Sequence, residues 1–273
     1  LLVFVNVTGR SFSDIFNAAY LLTYALASMA MFAIAHVWAG LRRAPATRAA
    51  FLGMAMGGTN NGFVGFAIFL IVLPEVAGIA VGMDMLVDNT LIIPLTLFLA
   101  ERAVHRGGSA LGTLGRSLAS VIRHPMVVAI IIALTLTALG WSLPPVLARP
   151  VGLVAQTSSG VALFAIGGML VGLKLGGALA DIVFSVAGKL LLMPAVGLAL
   201  VFALEAAGLP PMGTELKAAV VITTALPTFS IVPALAEKYG EADWTPASVM
   251  AGTVASFVTL TGWMWLLTTM GWL

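Results

Sequence analysis

Asp84 and Asp88 stand four residues apart in an otherwise apolar run, and Lys189 interrupts a second such run. Residues four apart share a helix face. An ionisable side chain at membrane depth is costly enough to count as functional by default. With Asn89 beside them, these residues are coupling or ion-pair candidates. Measured from the inner ends of their runs, Asp88 and Lys189 differ in depth by roughly 6 Å at 1.5 Å per residue, within reach of a lysine stem. A buried Asp88–Lys189 pair can act as a proton- or substrate-linked switch. It can also be mutual charge neutralisation, or a lysine that snorkels inward. One carboxylate pair on one helix does not suit aspartyl-protease chemistry, which needs acids on two helices facing a shared water. The spans hold no Ser–His pair and no His cluster, so no catalytic residue, metal site or cofactor is assigned.

A second polar set is uncharged. Gly57-Gly58-Thr59-Asn60-Asn61-Gly62 lies at the centre of an apolar stretch, and Thr223-Thr224-Ala225-Leu226-Pro227-Thr228 at the centre of another. Gly and Pro disfavour a helix interior by roughly 1 and 3 kcal/mol per residue. Broken backbone at mid-membrane is tolerated only inside protein or beside an aqueous cavity. Asn60, Asn61, Gly62, Thr224, Pro227 and Thr228 are therefore the substrate-binding candidates.

These residues need membrane-spanning elements around them, and the composition supplies them. Of 273 residues, 60% are hydrophobic and 9% charged, with mean hydropathy +1.09. A soluble domain carries about 25% charged residues. The chain is an all-α polytopic membrane protein, which excludes a soluble enzyme, a nucleic-acid partner and a secreted disulfide scaffold. There is no cysteine. Eight spans are expected, at 15–41, 49–73, 77–100, 125–143, 151–173, 182–204, 216–236 and 244–269. Residues 1–7 read as the tail of a span that begins upstream. The loop at 101–124 carries Leu111, Leu114, Leu118 and Val121 at helical spacing, which predicts an amphipathic surface helix. Trp141, Trp244 and Trp272 fall near span ends, where aromatic rings anchor at the interface.

Loop charge sets the orientation. Arg42, Arg43, Arg48, Arg102, Arg106, Arg116, Arg123, Lys174 and Lys238 lie in one set of alternate loops; Arg10, Arg149 and Lys217 lie in the other. The positive-inside rule makes the first set cytoplasmic and puts the C-terminus outside.

Asn61 and Pro227 are 166 positions apart. That shift lays 182–204 over the first visible span and 244–269 over the third. Five spans per half, an odd number, gives two halves of opposite orientation. Paired broken helices in inverted repeats point to a secondary-transporter site. A new half-helix is expected after each break, beginning at Gly62 and at Pro227, since Pro suits a first helical position. Free N–H groups and neutral donors would then converge on one site, which favours a carboxylate anion.

Further residues carry a family resemblance. Asn60-Asn61-Gly62-Phe63-Val64-Gly65, Leu86-Val87-Asp88-Asn89 with Ile93-Pro94-Leu95, residues 163–170 with Gly167-Gly168, residues 189–194, and Ala225-Leu226-Pro227 follow in order. In this the chain resembles the auxin efflux carrier family, specifically its bacterial malonate and organic-acid carriers. The resemblance implies ten spans as two inverted five-span repeats, with crossed broken helices forming the substrate site and an elevator-like motion. It also implies a homodimer held through a scaffold domain. On that plan 1–7 and 104–173 are scaffold, while 8–103 and 174–273 are transport domain. One departure is Ala67, where members often carry Pro after the first break.

The function expected is secondary transport of a small mono- or dicarboxylate, malonate-like, through the lipid bilayer. Coupling to H⁺, coupling to Na⁺ and uniport stay open, and no nucleotide-binding loop is present. A sodium-coupled carrier of the bile-acid type is the alternative within transport, with Asp88 and Asn89 as its pointers. A membrane-embedded enzyme using Asp84 and Asp88 is the alternative from another class.

Overall fold

The computed structural model describes residues 17–104 and 178–273, with scattered positions between 123 and 164. Apart from those positions, the predicted tail at 1–7, the surface helix, Gly167-Gly168 and the spans at 125–143 and 151–173 lie outside the described residues.

Helix α1 (Ala18–Leu41) begins at Asn17, whose side chain accepts the Tyr20 N–H at 3.0 Å and so satisfies a first-turn amide. Its buried stripe holds Tyr20, Thr23, Tyr24 and Ser28, while Leu22, Leu26, Met29 and Val37 are exposed. Hydroxyls inward and aliphatic groups outward is the arrangement a lipid solvent imposes. There follow α2 (Ala46–Gly57), α3 (Phe66–Val72), α4 (Pro74–Val87) and α5 (Ile93–Val104). The second described stretch holds α6 (Leu179–Ala187), α7 (Met193–Ala206), α8 (Thr214–Ala225), α9 (Val232–Glu237) and α10 (Thr245–Thr269).

Five helical stretches among the described residues are long and apolar enough to cross a membrane: Ala18–Leu41, Ala46–Val72, Pro74–Val104, Leu179–Ala206 and Thr245–Thr269. The expected span at 216–236 is not among them. Its break is too complete: Leu226 is extended, and α8 and α9 are separate helices of 12 and 6 residues. Each described half therefore runs long helix, interrupted helix, long helix.

Three stretches contain a widened turn in which an N–H reaches back five residues: Phe66 to Asn61, Ile93 to Asp88, and Met193 to Gly188. Pro94 and Pro194 account for two of them. Proline lacks an N–H, and its ring collides with the carbonyl four residues back; a widened turn moves that carbonyl aside. For Pro194 the freed carbonyl is that of Leu190, and the Trp263 indole N–H donates to it at 2.9 Å. Asp88 and Lys189 each lie within one of these turns.

The charged loops gather at one end. Arg48, in the first turn of α2, contacts Asp181 at 2.9 Å, Asp243 at 3.0 Å and Glu241, while Arg42 lies 3.7 Å from Asp181. Lys238 meets Glu101 at 2.7 Å. These residues come from the loops that the charge pattern assigns to one side. The remaining polar loop is tied elsewhere, by Lys217 to Glu205 at 2.6 Å, with Trp272 of the C-terminus against Lys217. Trp244 is a correction to the expected interfacial anchors. It is fully buried and donates to Glu241 at 3.0 Å, because the ion network draws its indole inward.

Candidate functional site

The two helix breaks touch. The Asn60 N–H donates to the Pro227 carbonyl at 2.9 Å. At Gly58 a Cβ would run into the Phe229 ring, and at Gly65 it would lie 2.7 Å from Leu226 Cδ1. Glycine at these two positions is what lets the breaks approach so closely. Ser28 Oγ, on α1, lies 3.0 Å from the Gly57 carbonyl and covers the end of α2. The N–H groups of Phe63, Thr228, Phe229 and Ser230 have no acceptor among the described residues. At the breaks two buried side-chain atoms also have no partner among the described residues: Asn61 Oδ1 and Thr228 Oγ1. Each such buried orphan costs about 1–3 kcal/mol, and the two belong to the two different breaks.

Beside the breaks, α1 and α4 are joined by two rungs. Tyr20 Oη donates to Asp84 Oδ1 at 2.9 Å, and Tyr24 Oη to Asp88 Oδ1 at 2.6 Å. Each rung reaches a different break. Thr223 Oγ1, near the end of α8, donates to Asp84 Oδ2 at 2.8 Å and lies 2.9 Å from Tyr20 Oη. Asn61 Nδ2 donates to Asp88 Oδ2 at 2.7 Å. All six side chains are buried. Buried carboxylates are tolerated where their oxygens accept hydrogen bonds in this way.

Lys189 corrects the expected ion pair. It is 2% exposed and donates to Thr59 Oγ1 at 2.6 Å and to Met193 Sδ at 3.0 Å. No carboxylate among the described residues lies within ion-pair distance of it. Equal depth did not bring Lys189 and Asp88 into contact, because the widened turn at 188–192 aims the lysine at the first break. The breaks consequently have the Lys189 amino group next to them, where the sequence suggested amide and hydroxyl donors only.

The other candidates separate. Asn60 serves through its backbone. Asn61 and Thr228 carry the orphan atoms. Thr224 Oγ1 turns back to the Val221 carbonyl at 2.7 Å and packs on Gly197, where a Cβ would lie 2.9 Å away. Asn89 is likewise spent on its own helix, donating to the Met85 carbonyl at 2.8 Å. Pro227 is not the start of a helix: α9 begins at Val232 with Pro233 in its first turn, and Pro227 contributes its carbonyl. Asp84 and Asp88 both face α1, as their spacing predicts.

Tyr20, Tyr24, Thr59 and Thr223 were not singled out from the sequence. The tyrosines had a signal, since they are four apart in a span, like the aspartates they bind. Outside the spans, Tyr239 donates to Glu101 Oε1 at 3.0 Å. Burial, and then the adjacent carboxylate, push its phenol above the ordinary tyrosine range.

The family model described as membrane transport protein, that of the auxin efflux carriers, matches residues 109–264, more than half of the chain. The chain belongs to this family. It is also 30% identical over 148 residues to the uncharacterized transporter YfdV of Escherichia coli K12, and equally to that of E. coli O157:H7 and of Shigella flexneri. Each match covers 54% of this chain and 46% of the relative, so the chain spans less than half the length of these curated relatives within the match. Family membership agrees with the five helical stretches among the described residues that are long and apolar enough to cross a membrane.

Proposed function

We propose that this chain belongs to a transporter, a secondary carrier of small organic anions, mono- or dicarboxylates such as malonate. It works in the bacterial inner membrane by elevator-type alternating access. The reading is carried by the meeting of the two breaks. Four backbone N–H groups with no acceptor among the described residues, the orphan Thr228 hydroxyl and the Lys189 amino group lie at or next to the Asn60–Pro227 contact. N–H groups and a cation in a water-poor setting are the chemistry that binds a carboxylate. The repeated order of long, interrupted and long helix supports two inverted repeats, with the interrupted helices as the crossed pair. Arg48 ties α2 to α6 and to the α9–α10 loop, as suits a transport body that moves as a unit. Residues 104–173 are then the scaffold, and dimerisation runs through it.

The test is reconstitution of the full-length protein in liposomes, with exchange of labelled malonate and competition by unlabelled acids. Saturable exchange that Asn61→Ala abolishes is the expected result. No exchange of any mono- or dicarboxylate by folded protein would refute the reading.

A further inference from the structure

Asn61 is held in an orientation that does not suit an anion. Its Nδ2 is taken by Asp88 Oδ2 at 2.7 Å, and its Oδ1 is left buried and unpartnered on the Gly65 side, 3.5 Å from where a Gly65 Cβ would stand. A carboxylate brings only acceptors, so it meets a carbonyl oxygen where it needs a donor. The cause is Asp88. As a carboxylate it accepts from both Tyr24 and Asn61, and it draws the amide's hydrogens away from the junction of the breaks.

We propose that Asp88 is the proton-coupling residue of this carrier and that the Asn61 amide transmits its protonation to the anion. A proton taken from water onto Asp88 Oδ2 makes that oxygen a donor. It then donates to Asn61 Oδ1, the amide turns over, and its NH₂ faces the junction. The orphan acceptor gains a partner, and the anion gains two donor hydrogens. The two ends of an amide are alike in size, so the turn needs no repacking. Proton and anion each raise the affinity for the other by the same factor, and they cross together.

The groups that bear on Asp88 are few. Tyr24 and Tyr20 face it from α1, Asp84 stands one turn away on its own helix, and Lys189 is the cation in electrostatic range. The α8 helix presents Thr223 at this point and the 61–65 turn presents Asn61, neither of which titrates. α3 carries no titratable residue, and those of α5 lie at its far end. Asp84 has both oxygens occupied by Tyr20 and Thr223 and makes no bond to Asn61.

The inference rests on the anion-carrier reading, and one experiment separates the two. Binding and exchange of labelled malonate by the full-length protein are measured across about two pH units. Wild-type affinity should fall as pH rises, approaching tenfold per unit above the midpoint for one coupled proton. In Asp88→Asn the new amide donates to Asn61 Oδ1 as the protonated acid does, and the slope should flatten to within about twofold. Malonate's own ionisation is common to both proteins and cancels. Tyr24→Phe removes a donor to the ionised form and should move the midpoint to higher pH, which keeps the test open if Asp88→Asn does not fold. Exchange with no pH slope in the wild type, an unchanged slope in Asp88→Asn, or an unmoved midpoint in Tyr24→Phe overturns proton coupling and leaves the carrier standing. No exchange at any pH overturns the carrier reading instead, and the coupling with it.

Discussion

Arg48→Met probes the junction that holds α2, α6 and the α9–α10 loop together. The guanidinium side chain is 15% exposed and contacts three carboxylates, of which Asp181 and Glu241 are 6% and 3% exposed and Asp243 is 53% exposed. The contact to Asp243 is open to water and contributes about 0–1 kcal/mol. The other two acids are left buried without their main cation, which costs about 3–5 kcal/mol in comparable sites. Neither is stripped bare. Asp181 keeps the Trp38 indole at 3.0 Å, and Glu241 keeps Thr47 at 2.7 Å and Trp244 at 3.0 Å. The retained donors bring the expected loss to about 3 kcal/mol. Arg42, 39% exposed on its side chain and 3.7 Å from Asp181, should lose only about 0.5 kcal/mol on the same substitution. Denaturant unfolding of both variants in mild detergent, at low and high salt, measures the difference. Salt should erase the Arg42 effect and leave the Arg48 effect nearly unchanged, since buried pairs are little screened. A loss below about 1 kcal/mol for Arg48→Met, or one equal to that of Arg42→Met, would refute the reasoning.

Two further substitutions test the packing around the breaks. Gly58→Ala drives a methyl into the Phe229 ring and should cost about 1–3 kcal/mol with loss of transport. Adding Phe229→Ala should recover stability, and an additive double mutant would show that the two residues do not touch. Trp263→Phe leaves the Leu190 carbonyl without its donor and should cost about 1–3 kcal/mol by denaturant unfolding. Wild-type stability in that variant would mean that the carbonyl beside Pro194 needs no partner.

The breaks themselves were legible in the sequence, because glycine and proline act locally and their cost in a helix does not depend on the neighbours. Where each helix resumed was less so. Pro227 and Pro233 both suit a helix start, and the choice fell to Pro233 because the Pro227 carbonyl is used by Asn60 across the junction. Asp84 and Asp88 could be placed on one face from their spacing alone. Their partners could not, since Tyr20, Tyr24 and Thr223 come from helices 64 or 139 positions distant in the chain. Thr224 shows the same limit. It sits next to Thr223 in sequence and only one of them reaches a carboxylate, because adjacent residues on a helix point about 100° apart.

Hydropathy, charge placement and helix breakers, all properties of short stretches, were enough to establish a membrane protein with two interrupted helices and buried acids. Packing assigned the contacts. Lys189 and Asp88 agree in depth, yet depth says nothing about rotation around the helix axis, and the widened turns ahead of Pro94 and Pro194 rotate both residues relative to a regular helix. The result is a lysine on Thr59 and an aspartate on Asn61. Which atoms remain unpartnered follows only after every neighbour is in place. Asn61 Oδ1 and Thr228 Oγ1 became visible as orphans for that reason.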